Sequence, residues 1–157
     1  MPARLLQNAH FIKGLDPVAD AFAGTKASDV VNFENYHSMV FVVYKGVGTT
    51  GTSTLTVEAC DDTTPSNTTA IPFRYKAITS GDTEGALTAA TTSGFTTTAG
   101  SSQLYLIEVD QDEMGDTGYG YVRLKAVESA DDPVVGAVLI IGYGPRYAQD
   151  VPATAIT

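Results

Sequence analysis

The sequence has 157 residues, a formal net charge of −9 and 17% charged residues, against about 25% in an average globular protein. Such a length suits one domain whose core needs no staples. The single cysteine, Cys60, excludes an intramolecular disulfide or a thiolate metal cluster within this chain. The acidic balance argues against a nucleic-acid partner, which needs Lys and Arg on its phosphates, and against an anionic membrane surface. The longest apolar run, residues 133–141, falls short of the roughly 20 residues a spanning helix needs.

Residues 1–8 (MPARLLQN) lack the apolar segment of a secretory leader, so synthesis in a reducing cytoplasm is expected. Residues 2–15 hold Leu5, Leu6, Phe11 and Ile12 outside any strand pattern. They are read as candidate docking residues of an extended N-terminal arm covering about residues 1–27. Within it, Asp16 as a helix cap, Pro17 at the first helical position and Gly24 past the end predict one or two helical turns over residues 16–24.

The remainder reads as short strands between Gly, Asp, Pro, Ser and Thr clusters. Residues 53–60 alternate, with Leu55, Val57 and Ala59 on one face and Thr54, Thr56 and Glu58 on the other. Residues 71–77 alternate as well, and Pro72 puts that strand at an edge or at its own start. Residues 121–126 place Val122, Leu124 and Ala126 inward. Residues 39–43 and 134–141, the latter containing Gly136, are apolar on both faces and are predicted as central strands. Weaker strand patterns cover residues 29–33, 94–98 and 103–109, and the Thr/Gly-rich stretches 46–52 and 79–93 read as loops. Asp110 followed by Glu113 and Gly115 forms a capping-box pattern for one helical turn. The expected fold is all-β: a jelly-roll-like or Greek-key β-sandwich of about eight strands with one or two short helical turns. It occupies residues 1–157 as a single domain ending in a flexible tail at about residues 148–157.

No residue pattern carries a catalytic, cofactor or metal site. His10 and His37 stand alone, without metal-ligand spacing. Asp110, Asp112 and Asp116 lack the full spacing and closing glutamate of a calcium loop. Asp61-Asp62 and Asp131-Asp132 lie beside turn-forming residues rather than in a paired-carboxylate pattern. Cys60 ends a strand next to Asp61, a neighbour that opposes thiolate formation. Asn67-Thr68-Thr69 matches a glycosylation sequon but has no secretory route. The tyrosines, Tyr147 included, fall mostly in or beside strands and suit core and interface packing.

Several stretches, in order, resemble the capsid decoration (cement, or head stabilisation) proteins of tailed bacteriophages. They are residues 28–36 (SDVVNFENY), 38–44 with the following Gly46, 55–62 with their TVEACDD, 71–75 (IPFRY), 105–114 (YLIEVDQDEM) and 119–124 (YGYVRL). The resemblance implies a jelly-roll-like structural virion protein on the capsid exterior, synthesised in the host cytoplasm. Its partner would be an HK97-like major capsid protein, and it would act as a homodimer or homotrimer that bridges capsid subunits. It implies no enzyme activity, no cofactor, no nucleic acid and no membrane. A tail-associated sandwich that binds host glycans through its loops stays open as the alternative function, as does a tail-tube or head-completion role.

Overall fold

The computed structural model describes residues 4–145; the predicted tail at residues 148–157 and Tyr147 lie outside them. Helix α1 (Leu5–Asn8) leads into strand β1 (Ala9–Val18), the short β2 (Thr25–Ala27) and β3 (Val31–Asn32), then the long β4 (Tyr36–Lys45) and β5 (Thr52–Cys60). There follow β6 (Thr68–Ile71), β7 (Phe73–Ile78), β8 (Thr88–Ala90), β9 (Phe95–Thr96) and β10 (Gln103–Asp110). Helix α2 (Gln111–Met114), β11 (Tyr121–Ala130) and β12 (Gly136–Pro145) complete the order.

Two antiparallel sheets face each other. The first runs β1-β12-β4-β10-β7-β8; the second runs β2-β11-β5-β6, with β3 also on β11 and β9 on β5. The pairing is nested: β1 with β12, β2 and β3 with β11, β4 with β10, β5 with β6. A long hairpin rolled up so that its outer strands stay partnered gives this order, which is that of a jelly roll. Pro72 marks the point where the chain leaves the second sheet as β6 and enters the first as β7. A residue without an N–H suits that crossing, because it has no ladder bond to lose.

The core follows from the alternation. In the first sheet Val138, Val43 and Tyr105 lie across one another on neighbouring strands, and so do Ile140, Phe41 and Ile107. All point inward and are buried, against Leu55, Val57, Val122 and Leu124 of the second sheet. Two inward positions of β12 are glycines because large rings occupy the space. A Cβ at Gly142 would lie 3.0 Å from the Tyr36 ring, and one at Gly136 would lie 2.5 Å from Phe22. The inward alternation of β4 also carries Lys45, whose Nζ donates to the carbonyls of Gly51 (3.2 Å) and Thr98 (2.7 Å). Burial lowers the pKa of this ammonium, and the two bonds tie three segments together at one end of the sandwich.

Two N-terminal expectations are corrected. Residues 16–24 are not helical: β1 runs to Val18, and the chain then turns, with Gly24 at φ +64°. Pro17 is accommodated because β1 is an edge strand whose register slips between Leu15 and Val18. Nor is the segment up to residue 27 an extended arm, because Ala9–Val18 pairs with β12 along its length. Its alternation is hidden in the sequence because Gly14 takes an inward position, where a Cβ would meet Ile140 at 2.8 Å. The capping box at α2 forms as its sequence predicts, with the Asp110 N–H donating to Glu113 Oε2 at 2.7 Å.

Candidate interaction surface

The four candidate docking residues separate. Ile12 points into the sandwich and is 5% exposed, part of the core. Phe11, on the other face of β1, is 39% exposed, while Leu5 and Leu6 on α1 are 59% and 79% exposed. The single turn of α1 sits where Ala9 opens β1 opposite Tyr143. This corner therefore presents four exposed apolar side chains, Leu5, Leu6, Phe11 and Tyr143, near the outer edge of β1, which no other strand of the described residues pairs.

That edge is only partly open to another strand. Register breaks after Lys13 and Leu15 interrupt it, and the Gly14 carbonyl already accepts from the Asp29 N–H at 2.8 Å. Bulges and charges of this kind blunt an edge, leaving residues 9–13 as its regular part. Below it, at the seam between β1 and β2, lies a groove of about 790 Å³ lined by His10, Ile12, Leu15, Lys26 and Asp29. Burial, and secondarily the neighbouring Asp16 charge, raises the Asp29 carboxyl above its ordinary pKa.

Each pair contains an acid that locks a turn. Asp61 accepts from the Ser66 and Asn67 N–H groups and from Asn67 Nδ2. Asp132 accepts from the Thr49 hydroxyl and from the Thr50 N–H. The bonds from Asn67 and from Thr49 are the main reasons these carboxyls lie below their ordinary pKa. Among the described residues no three His, Cys, Asp or Glu side chains gather as a metal-holding group. No helix among them is long and apolar enough to cross a membrane.

Cys60 is buried, and desolvation pushes its thiol up to about 11. Since the thiolate is the reactive form, Cys60 is expected to resist alkylation at pH 8 in the folded protein and to label fully in denaturant. Rapid native labelling, read by mass spectrometry, would contradict this.

The outer face of the second sheet carries a feature the sequence reading missed. Glu58 accepts from Arg123 Nε (2.9 Å) and Nη2 (2.7 Å), and its other oxygen accepts from Lys125 Nζ at 2.9 Å. Burial works to raise the Glu58 pKa, but the bonds from Lys125 and Arg123 and their charges outweigh it, so the carboxyl lies below its ordinary value. A carboxyl depressed in the folded state stabilises above its unfolded pKa and loses that contribution as pH falls through the folded one. The melting temperature should therefore drop on acidification below about pH 4.5, and Glu58→Gln should flatten that drop; an unchanged profile would remove Glu58 as a contributor. The outward alternation of Glu58, Arg123 and Lys125 was the available signal, but the register that brings them together was not legible.

The aromatic side chains mostly build the core. Tyr75 and Phe95 stack with centroids 3.8 Å apart, and Phe73 and Tyr105 pack around them. Tyr44 and Tyr143 stand open on strands of the first sheet, at 58% and 51% exposure. Comparison of the chain with protein-family models, with curated proteins and with solved structures finds no match.

Proposed function

We propose that this chain is a structural virion protein that binds the outer surface of a tailed-phage head and stabilises the shell by bridging HK97-fold capsid subunits. The observation that carries the reading is the exposure of Leu5, Leu6 and Phe11 near the β1 edge, which no strand of the described residues pairs on its outer side. Such a corner can seat on a neighbouring surface through apolar burial and strand addition, a mode that asks little of side-chain specificity. The closely packed jelly roll supplies a stiff body behind it, and many copies on one lattice add their weak contacts into avidity. The sequence resemblance to decoration proteins points the same way. A glycan site borne by loops would draw on loop aromatics, whereas Tyr44 and Tyr143 lie within strands.

Removing residues 2–8 tests this without cutting into β1. The truncated protein should keep its β-sheet circular dichroism and its melting transition yet bind expanded shells at least about tenfold more weakly, a loss of about 1.4 kcal/mol. Unchanged affinity would remove the N-terminal corner from the docking surface.

A further inference from the structure

One end of the outer face of the first sheet is hollowed rather than flat. Register sets Ala137 of β12, Tyr44 of β4, Leu104 of β10 and Ile78 of β7 in one row across that face. Val42 and Leu139 stand opposite each other in the next row. Two loops complete the lining: residues 81–82, from the connection between β7 and β8, and Ser102, just before β10. Together they bound a hollow of about 660 Å³. A concavity of about 300–1,000 Å³, mostly apolar with a few polar groups, is the usual form of a small-molecule site. A flat apolar face would suit a packed sheet instead.

The polar part of the lining says what the ligand carries. Asp82 is the one charged residue on the hollow. The nearby base Lys76 is engaged by Glu84 at 2.7 Å, so among the described residues no cation answers the Asp82 carboxylate. Tyr44, 58% exposed, lines the same space. A carboxylate and an open ring on one hollow favour a cation twice, by charge and through the π face. Ser102 has φ +56° and is the one non-glycine residue among those described in the left-handed region; its N–H donates to the Gly46 carbonyl at 2.8 Å. Residues held in such conformations gather at ligand-binding sites.

We infer that the hollow binds a small organic cation with an apolar body, an alkyl- or arylalkyl-ammonium ion. The body displaces water from Val42, Leu104 and Leu139, and the ammonium lies at the rim with Asp82 and the Tyr44 ring. This face is not the one the shell-binding proposal uses, and the inference stands without that proposal. An exposed carboxylate adds modestly to the binding of a cation, and an exposed ring adds a similar amount. Together they predict that the cation binds at least about fivefold more tightly than a neutral ligand of the same length.

Amide NMR of the full chain tests the inference, at about 150 mM salt, where charges more than about 8 Å apart are largely screened. The probes are hexylammonium, hexanol and hexanoate. Hexylammonium should give saturable shifts at Val42, Tyr44, Leu104 and Ala137, and bind at least about fivefold more tightly than hexanol. Hexanoate should bind more weakly than either. Asp82→Asn, at an exposed loop position, should weaken hexylammonium about threefold and leave hexanol unchanged. Asp116→Asn, an equal loss of charge beyond α2, should change neither. The inference is overturned if hexylammonium gives no saturable shift at these residues, or if its shifts centre on the acidic residues 110–116. It is equally overturned if hexanol or hexanoate binds as tightly, or if Asp82→Asn has no effect.

Discussion

Truncating Phe41 to alanine is expected to cost about 3–5 kcal/mol, the range for an aromatic side chain removed from a packed core. Phe41 lies between Ile140 and Ile107 on the two flanking strands, is 0% exposed, and faces the second sheet. Its neighbours belong to regular strands on both sides, so the cavity cannot close without bending the central ladder. Val42, the next residue along the same strand, points out of the sandwich. Val42→Ala should cost less than about 1 kcal/mol. Urea unfolding of the two variants measures the difference. Equal losses would mean that the two faces of the first sheet are not divided as described.

Gly94→Ala is the second large effect, and it comes from the backbone. Gly94 sits at φ +70°, and a Cβ there would lie 1.9 Å from the Leu55 carbonyl oxygen. The left-handed conformation costs an alanine about 1 kcal/mol or more. The clash adds a displacement of β9 away from β5, which disturbs the Thr97 N–H bond to the Ser53 carbonyl at 2.9 Å and its reciprocal through the Thr97 hydroxyl. A total loss of roughly 3 kcal/mol is expected. Gly81 provides the control, because at φ +58° nothing lies within 4 Å of its Cβ position. Gly81→Ala should cost only the conformational part, about 1 kcal/mol. If the two alanine variants unfold at the same urea concentration, close approach at Gly94 is not what the glycine is for.

The sequence was legible where one face of a strand is apolar and the other polar. The inward series Leu55, Val57, Ala59 and Val122, Leu124, Ala126 names the core of the second sheet directly, and Asp110 with Glu113 names α2. Strand order was not legible, because alternation says which way a side chain points and not which strand lies beside it. The β1 strand was hidden for a local reason: Gly14 fills an inward position that alternation would give to a large residue, and Pro17 reads as a helix start when it sits at an edge irregularity. Of the candidate docking residues, Leu5, Leu6 and Phe11 are exposed while Ile12 is core. Without the register of β1 on β12, nothing in the sequence separates Phe11 from Ile12.

The central strands teach a different lesson. Residues 39–43 and 134–141 are apolar on both faces, which predicts central strands. They do lie inside the first sheet, with β4 between β12 and β10 and β12 between β1 and β4. The chain itself covers only their inner side. The apolar outward residues Val40, Val42, Leu139 and Ile141 are visible in the sequence, and no element of the described residues covers them.

The most direct test of the proposed shell binding is quantitative co-sedimentation of the native chain with expanded shells built from an HK97-fold major capsid protein and free of other decoration. The account predicts saturable binding with a fixed number of copies per capsomer, and shells that withstand heat or chelation better once coated. A chain that stays in the supernatant at every concentration, with shell stability unchanged, would contradict it.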